Sequence, residues 1–520
     1  MITSISGNNA RQYLPGLVLL LLAVIIGVCT YQDYGIAWDE PIQREMGQAS
    51  YNYVFKNDPK LLTYIEKDHG VGFELPLIMI EEAGHIEASR DIFLMRHLVT
   101  HLFYLLCCFA GYVLVQNLFK NRLLACLAFL LLAYHPRLYA HSFFNSKDVP
   151  LAGMFLVSFM LAEMAFRKNK AWLYVLLGLS VGYASSIRIL GIVLVCPIML
   201  FFLFDMINHI KTKKSLLPVV ANAVLFIISS TTALYIAFPT LWSAPVANFI
   251  DVFRSLSHFR WGGKVLFEGQ MLLASELPRY YLLKWLAITT PVILLLSGIT
   301  GLIWIVVNSI KTSSQFYQSG TDRNFLLYAF CLVVPLAIII GMHSIVYDDW
   351  RHVYFVYPAF VLLAVYTIHK LSARYAQLVL IVIVLQLIDV GYFMVRSHPH
   401  HQVYFNQLVS HKEEYLRNNY ELDYWGSSYK QGLDYILAND TAAKVRIFES
   451  LPPVYHASIM LTQQQKKRIL FVDRNDFPYY FITGFRNHPN DYYPPEVGST
   501  FYEVKVLNST ILRVYRCNKL

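Results

Sequence analysis

The sequence predicts an all-α polytopic membrane protein that carries a small α/β domain at its C-terminal end. Of 520 residues, 56% are hydrophobic and only 15% are charged, and the mean hydropathy is +0.43. Soluble domains are about half apolar and a quarter charged. Long apolar segments recur along residues 1–395, whereas residues 396–520 hold short runs typical of strands, separated by turns.

A membrane-spanning helix needs about 20 mostly apolar residues, and eleven segments come close to this length. We expect the first to be a retained anchor rather than a cleaved signal peptide, because no Ala-x-Ala-like site follows its long apolar stretch. The predicted spans are residues 12–30, 92–119, 123–140, 149–166, 171–187, 189–208, 217–238, 286–307, 325–345, 353–369 and 375–395.

The loops between these spans fall into a basic and an acidic set. Basic loops, which include Arg11, Lys120 and Lys211, are expected in the cytoplasm, and acidic loops, which include Asp39 and Asp348, outside it. Eleven spans, surrounded by membrane lipids, then place the N-terminus in the cytoplasm and the C-terminal domain outside it, in the periplasm or its equivalent. The net charge of +9 is explained by this orientation, so we expect no nucleic-acid partner.

Two domains follow from this division. Residues 1–395 form the transmembrane domain, with a first large outer loop at 31–91 and a second at 239–285. An interfacial amphipathic helix is expected at residues 41–55. In the C-terminal domain, residues 396–520, a crossover helix is expected at 452–461, and strands are expected at residues 444–449, 468–473, 479–485, 501–506 and 511–516.

The first outer loop begins with two adjacent carboxylates, Asp39 and Glu40. Adjacent side chains diverge on any regular backbone, so one can act in a cavity while the other supports it. A structural alternative is that Asp39, just before Pro41, is simply the N-cap of the interfacial helix.

A second polar group lies where two helix ends meet on the outer side of the membrane. Six polar residues within fourteen positions exceed what interface anchoring needs, which favours a functional site. Zinc is a poorer explanation, because the histidines and the aspartate lack a compact ligand spacing. The residues are His135, Arg137, His141, Asn145, Lys147 and Asp148.

Two further features place cations near the same boundary. Arg188 lies between two apolar runs, where an arginine is costly unless it pairs, meets an anion or snorkels from a tight turn. Tyr347 to His352 precedes a span, and Arg351 and His352 suit phosphate recognition. The alternative there is an aromatic anchor with a local Asp349–Arg351 ion pair.

These stretches together resemble bacterial members of glycosyltransferase family 39, over about residues 10–395. That family groups with protein O-mannosyltransferases and lipid A aminoarabinose transferases in the GT-C superfamily of polytopic membrane enzymes. The residues that carry the resemblance are Trp38-Asp39-Glu40, His135-Pro136-Arg137, Asn145-Ser146-Lys147-Asp148 and Tyr347-Asp348-Asp349-Trp350-Arg351-His352.

The resemblance implies a GT-C-like fold with about eleven transmembrane helices. As a function it implies an inverting glycosyltransferase, which transfers a sugar from a polyprenyl-phosphate-linked donor to an extracytoplasmic envelope lipid, glycan or protein. It also implies that Asp39 is the general base, with Glu40 beside it.

The chemistry agrees with the residues themselves. Such a transfer needs a carboxylate to take the acceptor proton and cations to hold the departing phosphate. No cofactor is required, although a divalent cation with Asp148 as ligand is an alternative. The expected phosphate-binding residues are Arg137, Lys147, Arg188, Arg351 and His352, and the other active-site candidates are His135, His141, Asn145, Asp148, Tyr347 and Asp348.

Two other classes of protein also have many spans. A secondary transporter commonly shows paired repeats with broken helices at mid-membrane, whereas here there is no similarity between the halves and the charges cluster at one face. A noncatalytic scaffold for envelope assembly is opposed only by the acidic outer loop.

Overall fold

The computed structural model describes residues 11–257, 261–312, 320–448, 451–491 and 498–518. Between residues 11 and 257, eleven α-helices follow one another, and they bring several loops to a common end of the bundle. They are α1 (Leu14–Thr30), α2 (Glu40–Lys56), α3 (Glu74–Ala83), α4 (Ser89–Phe119), α5 (Arg122–Ala133), α6 (Pro136–Phe144), α7 (Asp148–Lys168), α8 (Ala171–Ile187), α9 (Val195–Lys211), α10 (Leu217–Ala237) and α11 (Pro245–Ser257).

Four further helices are described in the rest of the transmembrane part. They are α12 (Tyr281–Thr289), α13 (Val292–Thr312), α14 (Gly320–Gly341) and α15 (Tyr357–Ser397). A 3-10 turn over Arg351–Val356 leads into α15. Helix α15 changes direction at Tyr375, where the backbone is non-helical, and this break coincides with the boundary between the last two predicted spans.

The chain is a multi-pass membrane protein. Among the described residues, seven helices are long and apolar enough to cross a membrane, or eight if the bent pair α5 and α6 forms one span. Helices α1 and α8 are apolar but have 17 residues each. The number of eleven spans therefore stays a prediction, while the helical fold class with a small C-terminal sheet domain is confirmed.

The segment predicted as one span at residues 123–140 is bent and consists of two helices. Helix α5 ends at Ala133, and α6 starts at Pro136 at an angle of 59° to it. Proline lacks the backbone N–H that a continuing helix needs, and it disfavours helical backbone at the residue before it. The bend turns α6 into the protein, and all nine of its residues are buried.

The loop at residues 31–91 contains the helix that the sequence predicts there. Helix α2 begins at Glu40 and ends at Lys56, close to the expected 41–55. In the loop at residues 239–285 the structure adds an element that was not predicted, a hairpin of β1 (Lys264–Phe267) and β2 (Gln270–Leu273). Phe267 also pairs with Tyr420, so the hairpin contacts the C-terminal part.

The C-terminal domain contains five strands, β3 (Val445–Phe448), β4 (Ile469–Val472), β5 (Tyr479–Thr483), β6 (Ser499–Val506) and β7 (Ser509–Cys517). They form one sheet in the order β4-β3-β5-β7-β6. Strand β3 runs parallel to β4 and β5, and helices α18 (Pro452–Ile459) and α19 (Gln463–Arg468) form the crossover from β3 to β4. The predicted strands are confirmed, except that Glu449 lies outside the described residues.

The segment between α15 and this sheet packs against the transmembrane part, in a way that a boundary at residue 396 did not anticipate. It comprises residues 398–428 and includes helix α16 (Tyr415–Asn419), after which α17 (Tyr429–Asn439) covers the sheet. Asn406 fixes the segment to α12, because its side-chain amide donates to the carbonyls of Ala287 (2.7 Å) and Thr290 (2.6 Å). Each such bond contributes about 1 kcal/mol, so the segment is held close to the C-terminal end of α12.

Candidate active site

The two carboxylates of the first loop have different surroundings. Glu40 is 2% exposed. Its carboxylate accepts a hydrogen bond from the Ala37 amide (2.7 Å) and lies 3.0 Å from His97 Nε2. Asp39 occupies the N-cap position of α2, but its side chain makes no capping hydrogen bond. The capping explanation for Asp39 is therefore not supported, and Glu40 is the residue that ties down the start of the helix.

The Asp39 carboxylate instead faces two cations. Its Oδ2 atom lies 3.8 Å from Lys147 Nζ and 3.8 Å from Arg351 Nη2, and its side chain is 27% exposed. These distances are too long for hydrogen bonds. The position combines access with a positive environment, as a base beside a phosphate site requires.

Asn145 and His141 arrange the end of α6 and the start of α7. Asn145 Oδ1 accepts the backbone N–H of Asp148 (2.9 Å), and its amide donates to Asp148 Oδ2 (3.0 Å) and lies 3.1 Å from His141 Nδ1. The other nitrogen of His141 lies 3.0 Å from the Tyr424 hydroxyl. These two candidates therefore fix Asp148, whereas neither contacts Asp39.

Asp148 receives two arginines. Arg188 pairs with Oδ1, and Arg351 Nη1 lies 3.5 Å from Oδ2. Arg188 follows α8 with an extended backbone, and that break in the helix turns its side chain toward Asp148. The ion pair with Asp148 explains how an arginine is accommodated between two apolar runs.

Arg351 lies at the centre of a cluster of charged side chains, which also contains Asp39, Lys147, Asp148, Arg188 and Asp348. Its guanidinium hydrogen-bonds Asp348 Oδ2 at 3.1 Å, in addition to its contacts with Asp39 and Asp148. It also lies over the rings of Tyr347 (5.0 Å) and Trp425 (4.8 Å). The expected Asp349–Arg351 ion pair is not the one observed, because the local partner of Arg351 is Asp348.

Asp348 and Asp349 form a turn with left-handed backbone at both residues, with φ of 54° and 61°. Non-glycine residues rarely adopt this region, and such positions cost about 1–3 kcal/mol each where they persist. Asp349 Oδ2 accepts hydrogen bonds from Arg137 (2.7 Å) and from the Tyr424 hydroxyl (2.8 Å). Burial raises the pKa of Asp349, and Arg137 and Tyr424 oppose that shift.

Two predicted candidates are not brought to Asp39. Arg137 is fully buried, paired with Asp349 and placed between the rings of Trp285 and Phe405. His135 packs against Trp350 and Tyr357 and accepts a long hydrogen bond from the Leu138 amide, at 3.5 Å. In the structure, His135 stabilises the bend between α5 and α6, and Arg137 stabilises the backbone turn at Asp349. Neither side chain lies beside Asp39.

Tyr347 and His352 lie at the rim of the cluster. Their rings are in edge contact at 4.8 Å, and Tyr347 stacks on Trp261 at 4.0 Å. Burial raises the pKa of Tyr347 to about 12, so its hydroxyl stays protonated and can donate a hydrogen bond. His352 Nδ1 has no hydrogen-bond partner among the described residues.

Lys147 has the weakest ties to the protein among the cations of the cluster. Its only ion pair within the described parts of the chain is the 3.8 Å contact with Asp39. Burial lowers the pKa of its ammonium, and Asp39 opposes that shift. A phosphate arriving beside Asp39 can therefore bind Lys147 without breaking a strong pair.

The sequence did not reveal the contribution of the C-terminal part. Asp348 Oδ1 accepts a hydrogen bond from Arg486 (2.9 Å), and Asp348 Oδ2 accepts one from Trp425 Nε1 (3.2 Å). Tyr424, as described above, binds Asp349. No spacing along the chain indicates contacts across 75 to 138 positions.

Among the described residues, no group of three or more His, Cys, Asp and Glu side chains is arranged to hold a metal ion. Asp148, the candidate ligand, is occupied by two arginines.

Residues 17–246 match the family model of dolichyl-phosphate-mannose-protein mannosyltransferases. The match covers a little under half of the chain and includes Asp39, Lys147, Asp148 and Arg188. It confirms the resemblance drawn from the motifs over this part of the sequence. No curated protein matches the sequence.

The structure is similar to two membrane enzymes. The oligosaccharyltransferase of Archaeoglobus fulgidus, tethered with an acceptor peptide, has a TM-score of 0.49 at 11% identity, covering 88% of this chain and 64% of that protein. ArnT from Cupriavidus metallidurans, bound to undecaprenyl phosphate, has a TM-score of 0.48 at 12% identity, covering 96% and 98%. The chain thus spans about two thirds of the archaeal enzyme's length, and at these TM-scores neither likeness carries a conclusion about activity.

Proposed function

We propose that the protein transfers a sugar from a polyprenyl-phosphate-linked donor to an acceptor on the extracytoplasmic side of a bacterial plasma membrane, with inversion at the anomeric carbon. The observation that carries the proposal is the environment of Asp39, a carboxylate that does not cap its helix and lies 3.8 Å from both Lys147 and Arg351. The family-model match supports a lipid-phosphate-linked sugar as the donor class.

In the proposed reaction, Asp39 accepts the proton of an acceptor hydroxyl as the oxygen attacks the anomeric carbon. The new bond joins the acceptor oxygen to that carbon, and the bond between the carbon and the donor phosphate oxygen breaks. The electron pair leaves with the polyprenyl phosphate. General-base catalysis of this kind contributes about 10² to 10⁴ in rate.

Lys147 and Arg351 stabilise the departing phosphate. Both are close to the base, and their contacts with Asp39 are long enough to be exchanged for phosphate oxygens without the loss of a hydrogen bond. Arg351 offers a planar fork suited to phosphate, and Arg188 offsets the negative charge of Asp148, which also faces Arg351. Charge neutralisation at the leaving group is the main electrostatic requirement of the step.

Two cations lie next to Asp39, since Lys147 Nζ and Arg351 Nη2 are each 3.8 Å from its carboxylate. Burial raises the pKa of Glu421, whose carboxyl interacts with Arg486 and Asp348, to about 8, which favours its neutral form. An anionic donor is attracted to these cations.

The experiment is transfer by the purified protein in lipid nanodiscs. Polyprenyl-phosphate sugars are supplied with an envelope extract as acceptor, and the anomeric configuration of the isolated product is determined by NMR. The proposal expects release of polyprenyl phosphate together with a product of inverted configuration. A retained configuration contradicts the single displacement, and absence of transfer from any polyprenyl-phosphate sugar contradicts the function. Mass spectrometry of envelope glycans and lipids from a deletion strain identifies the sugar and the acceptor.

A further inference from the structure

Three side chains of the C-terminal part reach the Asp348–Asp349 turn. Arg486 donates to Asp348 Oδ1 at 2.9 Å, Trp425 Nε1 donates to Asp348 Oδ2 at 3.2 Å, and the Tyr424 hydroxyl donates to Asp349 Oδ2 at 2.8 Å. Both carboxylates are buried. The turn therefore receives hydrogen bonds from residues 75 or more positions away in the sequence.

Two of these residues, Arg486 and Trp425, also contact the first outer loop. The guanidinium of Arg486 lies over the ring of Trp38, 5.5 Å from its centre, and donates to the backbone carbonyl of Tyr424. The backbone N–H of Trp38 donates to the carbonyl of Trp425 at 3.0 Å. The C-terminal part thus joins the loop of Asp39 to the turn before Arg351.

This connection has a consequence for the geometry of Arg351. Two consecutive left-handed residues precede it, and such a backbone persists only where the surroundings over-determine it. Asp348 Oδ2 binds both Trp425 and Arg351, so the position of the guanidinium depends directly on the position of Asp348. Without the contacts from the C-terminal part, this turn is expected to relax and the guanidinium to shift.

We infer that Arg486, Tyr424 and Trp425 are positioning residues of the transfer reaction, which hold the Asp348–Asp349 turn so that Arg351 faces the donor phosphate beside Asp39. The inference rests on the proposed function and extends it, because it makes the C-terminal domain a part of the catalytic unit. None of the three residues needs to touch the substrate.

The test uses Arg486→Gln and Tyr424→Phe in the full-length protein, with a matched control for each. Arg446 is an exposed arginine of the same domain that donates to the Phe477 carbonyl at 3.1 Å, so Arg446→Gln makes the same chemical change away from the site. Tyr480 donates to Asp440 at 2.9 Å, so Tyr480→Phe removes a similar tyrosine–aspartate bond. Unfolding temperatures of all four variants show that each protein is folded.

We expect kcat to fall between about tenfold and 100-fold in Arg486→Gln and Tyr424→Phe, with a smaller change in the KM for the donor. A misplaced catalytic group affects the transition state more than it affects binding, and displacements of about 1 Å cost on this order. Arg486→Lys should recover part of the loss, because the charge next to Asp348 is kept. Both controls should keep wild-type kcat.

A double-mutant comparison separates positioning from a general loss of stability. If Arg486 acts through Asp348, the double variant Arg486→Gln with Asp348→Asn loses no more kcat than the worse single variant. Should Arg486→Gln lower the yield of folded protein, Tyr424→Phe carries the test. Wild-type kcat in Tyr424→Phe or Arg486→Gln, or losses that multiply in the double variant, overturns the inference alone. A wild-type protein that transfers no sugar overturns the proposed function and the inference with it.

Discussion

Replacing Arg351 by lysine tests the phosphate site, because the substitution keeps the charge and removes the fork. The wild-type guanidinium contacts three carboxylates at once, at 3.1 Å (Asp348), 3.5 Å (Asp148) and 3.8 Å (Asp39). A lysine ammonium is a point charge on a flexible stem, and it cannot hold these positions and a phosphate together.

The magnitude follows from the contacts that are lost. Losing one charge-assisted hydrogen bond to the phosphate removes about 1.5–3 kcal/mol, and about 1.4 kcal/mol corresponds to a factor of ten in rate. We therefore expect kcat/KM to fall by about 10- to 100-fold in Arg351→Lys. Part of the loss should appear in kcat, since charge on the leaving phosphate grows in the transition state.

The assay is steady-state transfer with varied donor, and Arg323→Lys is its matched control. Arg323 also pairs with a carboxylate, that of Asp205 (2.8 Å), and also lies between two rings, those of Phe166 and Phe201. Its position near the start of α14 is on the predicted cytoplasmic side. Unchanged kinetics in Arg351→Lys would refute the phosphate role and make the residue an interface anchor.

Three other results are expected. Arg188→Ala should lower kcat and destabilise the protein by about 1–3 kcal/mol, because buried Asp148 loses one ion-pair partner but keeps Arg351 and the Asn145 amide; an unchanged unfolding temperature would contradict this pairing. Reporter fusions at residues 168, 212, 265 and 410 should report inside, inside, outside and outside, and an inside result at 410 would overturn the topology. The raised pKa of Glu421, from 4.5 to about 8, means that its contribution to stability is complete below about pH 4.5 and is lost as pH rises through about 8. Glu421→Gln should therefore unfold at a temperature that falls less between pH 6 and 9 than that of the wild type.

The sequence was sufficient to predict the helical architecture and the sheet domain. Apolar length predicts spans and period-two alternation predicts strands, and both patterns are local. The bend at Pro136 was missed because the apolar composition continues across it, so length alone gave one helix over residues 123–140. The hairpin of β1 and β2 was missed because it is short and pairs with Tyr420, far away in the sequence.

The sequence indicated which residues lie in the candidate site better than it indicated which of them pair with one another. The cost of a charge between two apolar runs indicated Arg188, and the density of polar residues indicated Asp148. Suitability for phosphate indicated Arg351, and the paired carboxylates together with the resemblance indicated Asp39. The partners themselves depend on tertiary contacts. Arg137 pairs with Asp349 across 212 positions, and no local pattern distinguishes that ion pair from a phosphate contact.

The most direct test of the account is the rate of sugar transfer by Asp39→Asn, measured beside Glu40→Gln and Asp91→Asn. Asp91 is a control carboxylate in the first turn of α4, 61% exposed and paired only loosely with Arg90. The account predicts that Asp39→Asn folds normally and loses about 10² to 10⁴ in kcat, because an amide cannot take the acceptor proton. It predicts a smaller loss in Glu40→Gln and none in Asp91→Asn. Near-normal turnover in Asp39→Asn would contradict the assignment of the general base and return the search to Asp148 or Glu40.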